Sequence, residues 1–150
     1  MERKNSKKEI ISLIDTELKN IDQLLIEISE CKGNNHIIRR AKGSILHDFY
    51  NSCERIFELI ARKINGGFVD SEYWHKRLLY KMTINIGSIR PPVISKKLAA
   101  ALDDYLSFRH LFRNIYGFEL ESKRLDNLIE KFEDTVNLFK KEIKEFISKL

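Results

Sequence analysis

LDNLIEKFEDTVNLFKKEIKEFISKL, residues 125–150, sets Leu125, Ile129, Phe132, Val136, Phe139, Ile143, Phe146 and Leu150 at strictly alternating spacings of four and three. That period gathers these side chains on one face of an α-helix and would scatter them over both faces of a strand. Most positions between them are charged or amides, so the opposite face is solvated. Such a helix cannot bury its stripe alone, and the rest of the chain must supply the other walls of a core.

Working outward, a first helix is predicted from about Lys7 to Cys31, with the seam Ile11, Ile14, Leu18, Ile21, Leu25 and Ile28. KGNN (32–35) breaks it, Gly33 serving as a stop and Asn35 as the cap of the next helix. That second helix, about 36–64, carries Leu46, Phe49, Cys53, Ile56, Ile60 and Ile64 on one face, and NGG (65–67) ends it. Asp70 or Ser71 caps a shorter helix, EYWHKRLLYKM. Pro91 and Pro92 forbid helix and bias Arg90 towards extended geometry. Ser95 caps a helix over about 96–116, which Gly117 ends, and Ser122 caps the last one. The expected fold is all-α: one domain over 1–150, an antiparallel four-helix bundle with one additional short helix.

The chain has 150 residues, a size that buries roughly 70% of the unfolded surface. Apolar residues at 43% and charged residues at 33% suit a globular protein rather than a disordered or fibrous one. The longest uncharged run, Met82 to Ile89, is eight residues, far short of a membrane span. MERKNSKKE is basic but leads into EIISLIDTELKN, too charged for a signal peptide, so the expected location is cytoplasmic. Cys31 and Cys53 have no CxxC spacing and read as buried thiols. His36, His47, His75 and His110 show no ligand spacing, so no metal and no cofactor are expected. A net charge of +5 permits nucleic-acid binding, but the cations are spread among 22 acids and do not establish it.

One helix departs from the simple pattern. In FRHLFRNIYGFEL (108–120) two arginines, a histidine, an asparagine and a tyrosine interrupt an apolar run. On a helical wheel Ala101, Tyr105, Phe108, Leu111, Phe112 and Ile115 form a core stripe. Leu102 and Leu106 lie on a second face, which predicts that a further surface, such as a second subunit, covers them. Arg109 and Arg113 continue that second face, with His110 and Asn114 beside it and Tyr116 at its border. Two arginines one turn apart can grip a phosphodiester, and His110 or Tyr116 could move or orient a proton. A purely structural account instead pairs the arginines with Asp103, Asp104, Glu119 or Glu121.

Four blocks in order, SILHDFYNSCERIFELIARKING (44–66), SEYWHKRLLYKM (71–82), RPPVIS (90–95) and FRHLFRNIYGFEL, resemble the HEPN superfamily, in particular a HepT-like subgroup carrying an FRHxxRxxYG-type motif. The family signature is arginine, a polar residue, three more residues, then histidine and, two further on, tyrosine. Arg109, His110 and Tyr116 match it, while Asn114 stands where the histidine belongs. The resemblance implies a homodimer with a composite site in the cleft between protomers, and metal-independent RNA cleavage. Arginine would stabilise the developing phosphorane charge and histidine would shuttle protons. It further implies a toxin–antitoxin pair whose nucleotidyltransferase-type antitoxin adenylylates the motif tyrosine, here Tyr116.

On that basis the expected catalytic set is Arg109, His110, Asn114 and Tyr116, with Arg113 on RNA phosphate; His47 either lines the cleft or is a histidine of the core or just behind the site. An amide cannot exchange protons near neutral pH, so His110 would have to replace the missing histidine. The alternative is a catalytically silent HEPN module that binds RNA or a nucleotidyltransferase partner. Elsewhere, Trp74 and His75 read as anchors for the short helix, and the carboxylates of Asp48, Glu54, Asp103 and Asp104 as solvated helix faces.

Overall fold

The computed structural model describes residues 2–64, 73–114, 116 and 122–150, the first four by backbone alone. Among them six helices form: α1 (Glu2–Glu30), α2 (His36–Lys63), α3 (Trp74–Lys81), α4 (Lys96–Asn114), α5 (Ser122–Glu130) and α6 (Phe132–Ser148). No strand occurs among the described residues, only an isolated bridge between Ile86 and Arg90. The expected stops at 65–67 and 117, the caps Asp70 and Ser71, and Ile115, Glu119 and Glu121 lie outside them.

Cross-helix pairings set the directions. Gly33, at a left-handed φ of 94°, turns α1 back into α2, and the Asn35 side chain accepts the Ile38 amide at 2.9 Å to start α2. Asn51 meets Arg109 while His47, a turn earlier, meets Phe112, so α2 and α4 are antiparallel. Ser95 meets Glu142 and Tyr105 meets Leu128, so α4 opposes the α5–α6 arm. α1 packs against α2 and α6, which closes the bundle. The result is the expected all-α antiparallel bundle, with α3 laid across α2 and α4.

The core is aromatic at its centre. Phe49 has Phe132 at 5.1 Å, Tyr105 at 5.3 Å and Phe139 at 6.3 Å between ring centroids, so three arms of the bundle meet on one ring. Ser95 caps α4 as expected, its hydroxyl oxygen accepting the Leu98 amide at 3.1 Å while both its N–H and O–H reach the Glu142 carboxylate. Arg90 is 3% exposed and donates to the carbonyls of Lys81, Ile84 and Pro91, each at 3.0 Å. It thereby satisfies the C-terminal end of α3 and holds the extended turn into α4.

Four sequence expectations need correction. Along α1 the buried seam is Ile10, Ile14, Leu18, Ile21 and Leu24, with Ile11 and Leu25 only half-buried, because α1 packs against both α2 and α6 and the arc it buries is set by two neighbours rather than by one heptad seam. On α4 the fully buried face is Leu98, Ala99, Leu102, Tyr105 and Phe108. Leu102 therefore belongs to the protomer's own core and is no evidence for a second subunit; α4 touches α2, α3 and α6 and buries a wider arc than one stripe. Leu111 and Phe112 are half-buried.

The last helix is broken at Lys131 into α5 and α6, although its apolar seam continues through the break. The buried Tyr105 hydroxyl donates at 2.7 Å to the carbonyl of Leu128, the group a continuous helix would offer to the Phe132 amide. A side chain inserted into the helical ladder is a recognised cause of such breaks. Finally, Glu54 is not a solvated carboxylate: it is 5% exposed and accepts from His75 Nδ1 on both oxygens, at 2.8 and 2.9 Å.

Candidate functional site

Asn51 stands on α2 one turn beyond His47 and faces α4. Its Oδ1 accepts the Arg109 Nε–H at 2.6 Å, and its Nδ2 lies 3.3 Å from His47 Nδ1. The chemistry of the partners fixes the amide's orientation. A guanidinium can only donate, so the oxygen of Asn51 must face Arg109 and the NH2 must face the imidazole. His47 Nδ1 is then an acceptor, which places the proton of the neutral ring on Nε2.

The His47 ring packs on Phe112, 5.5 Å between centroids, and its Nε2 is enclosed with no hydrogen-bond partner among the described residues. Burial first, and then the charge of Arg109, push its pKa below the ordinary 6.5; Asp48, 3.7 Å from Nδ1, pulls the other way, and Arg113 adds to the lowering. His47 is thus neutral at neutral pH. Tyr50, next to Asn51 and fully buried, holds its proton far above the usual phenol range, mainly through burial and then the Glu54 charge. It is no proton-transfer group.

Arg109 is half-buried, and among the described residues Asn51 is its one hydrogen-bond partner; no carboxylate pairs with it. With Nε occupied, the two terminal amino groups are left for an anion. Asp103, one of its expected acidic partners, is taken by Tyr80 at 3.0 Å and Lys76 at 3.6 Å. Arg113 is exposed and close enough to act on His47, so both arginines belong to this end of α4.

The other expected residues are placed differently. His110 and Asn114 are exposed, and Asn114 donates its amide at 2.6 Å to the His110 carbonyl. At the position of the signature histidine, the side chain thus satisfies a carbonyl in the last turn of its own helix. Tyr116 is 69% exposed, just beyond α4. The structure therefore joins His47 and Arg109, brings Arg113 near them, and leaves His110, Asn114 and Tyr116 on the open side. Sequence reading misses Asn51; the available signal is its spacing of one turn from His47.

Around α3, His75 with Trp74 stacked on it at 3.7 Å, Tyr80 and Lys76 tie the short helix to Glu54 and Asp103, as anchors do. Cys53 is buried, its thiol raised well above the ordinary range by burial, whereas Cys31 is only half-buried; both are free. Among the described residues no group of three or more His, Cys, Asp or Glu could hold a metal, and no helix is long and apolar enough to cross a membrane.

A family model described as HepT-like protein matches residues 41–150, a span that includes His47, Asn51, Arg109 and Tyr116 as well as the closing helices. Neither a curated protein nor a solved structure matches the chain.

Proposed function

The chain belongs to the HepT-like protein family, and from that premise we propose that it is the toxin of a toxin–antitoxin pair, a metal-independent endoribonuclease. The observation that carries this reading is Arg109, a half-buried guanidinium oriented by Asn51, unpaired with any carboxylate among the described residues and accompanied by Arg113. Arginine with free terminal donors suits the bidentate recognition of a phosphodiester.

In this reading the ribose 2′-oxygen attacks the adjacent phosphorus while a base takes its proton. The bond to the 5′-oxygen breaks, that oxygen gains a proton, and the products are a 2′,3′-cyclic phosphate and a 5′-hydroxyl. Arg109 and Arg113 stabilise the charge that develops on the phosphorane oxygens. His110, exposed at the same end of α4, is the group that exchanges the protons. A homodimer would bring two such ends together over one strand. The exposure of Tyr116 suits its adenylylation by a nucleotidyltransferase-type antitoxin, which would add negative charge beside the phosphate site.

A second reading, a silent module that binds RNA or the nucleotidyltransferase without cutting, is favoured by one observation. Asn114 is engaged with its own helix backbone and cannot shuttle protons. One experiment separates the two: incubation of the purified protein with single-stranded RNA in EDTA. Cleavage by wild type that Arg109→Ala abolishes supports the enzyme. No cleavage by wild type, with activity gained in Asn114→His, supports the binding module.

A further inference from the structure

The hydrogen bonds between α2 and α4 tie the orientation of Arg109 to the protonation state of His47. Asn51 must present its oxygen to Arg109 and its NH2 to His47, because the guanidinium cannot accept. That arrangement is satisfied only while His47 Nδ1 is an acceptor. A protonated His47 carries N–H on both ring nitrogens, so its Nδ1 would confront the Asn51 NH2 donor to donor. Rotating the amide removes that clash only by turning its NH2 towards Arg109 Nε, which creates a second one. The neutral ring leaves its Nε2–H without a partner among the described residues. A charged imidazole keeps that cost and adds a second, either the loss of the bond that orients Arg109 or a clash of two half-buried donors.

We propose that Asn51 is the positioning residue of Arg109, and that neutral His47 holds the Asn51 amide in the orientation this requires. The charged groups acting on His47 agree with that state. Arg109 and Arg113 on α4 disfavour the imidazolium, Asp48 on α2 favours it, and Phe112 covers the ring with an apolar face. Protonation would draw Nδ1 towards Asp48, at 3.7 Å, and release Arg109 from Asn51. The inference rests on the ribonuclease reading only for its effect on RNA; the positioning is a property of the free protein.

Nuclear magnetic resonance of the protein without RNA tests it, following the Arg109 Nε–H and the His47 ring together. In wild type the Arg109 Nε–H exchanges slowly near neutral pH and loses protection as the His47 ring titrates. Above the His47 titration its exchange in Asn51→Leu is at least about tenfold faster than in wild type, and the difference closes below it. In His47→Phe, which keeps the contact with Phe112, the pH dependence of its protection disappears. An Arg109 signal unaffected by Asn51→Leu, or blind to the His47 titration in wild type, would overturn the proposal. The wild-type titration decides even if a variant fails to fold.

Single-turnover RNA cleavage in EDTA is the second readout. Asn51→Leu lowers the rate by roughly tenfold to a hundredfold, the usual cost of a misplaced group. Full-rate cleavage by Asn51→Leu sinks the positioning role. Absence of cleavage by wild type, with the resonance results as expected, removes the ribonuclease reading and leaves the positioning standing.

Discussion

His47 gives up its proton more readily than a free histidine because burial and the arginine charges outweigh the pull of Asp48. Below the ordinary pKa of 6.5 the unfolded chain binds a proton that the folded site resists, so acid favours unfolding. This contribution to stability is complete above 6.5 and is lost as pH falls through it towards the lower native value. The thermal midpoint should therefore drop on acidification in that window, and His47→Phe should flatten part of the slope. An unchanged slope in the variant would contradict the placement of this ring. The amino-acid order marks His47 and the arginines, yet it marks Asn51 only by its spacing of one turn from His47, and the partner Arg109 lies 58 positions along the chain. An amide on α2 has no periodic signature; only the crossing with α4 gives it a role.

At the scale of elements, helix boundaries set by local chemistry are legible in the sequence, and those set by tertiary contacts are not. Gly33 and Asn35 end one helix and cap the next through their own backbone and side-chain preferences. The break at Lys131 has neither proline nor glycine to announce it, and coincides with a hydroxyl arriving from α4. Tyr105→Phe deletes only that hydroxyl and leaves the buried Leu128 carbonyl without its donor. Denaturant unfolding should show a loss of roughly 1–3 kcal/mol. A neutral result would mean that the carbonyl recovers its helical partner and that α5 and α6 join. Glu54 teaches the same lesson. Nothing in the α2 pattern says that a short helix will bury it, until His75 and Trp74 are seen closing over it.

At the scale of the whole molecule, the bundle is readable from four amphipathic stripes, and the number of neighbours around each stripe is not. Leu102 faces outward on a wheel that counts one partner, and it is fully buried because α4 packs against α2, α3 and α6. A homodimer therefore draws no support from Leu102, and rests on the family and on the open polar end of α4. The bundle itself depends on Phe49, where α2, α4 and the α5–α6 arm meet. Phe49→Ala should cost about 3–5 kcal/mol of unfolding free energy. A loss below about 1 kcal/mol would show that these aromatic rings do not form one packed core. The most direct test of Arg109 as a phosphate-gripping group is RNA cleavage in EDTA by wild type and by a folded Arg109→Ala variant. Cleavage to cyclic-phosphate ends by wild type, abolished in the variant, is the expected result, and full cleavage by Arg109→Ala would contradict it.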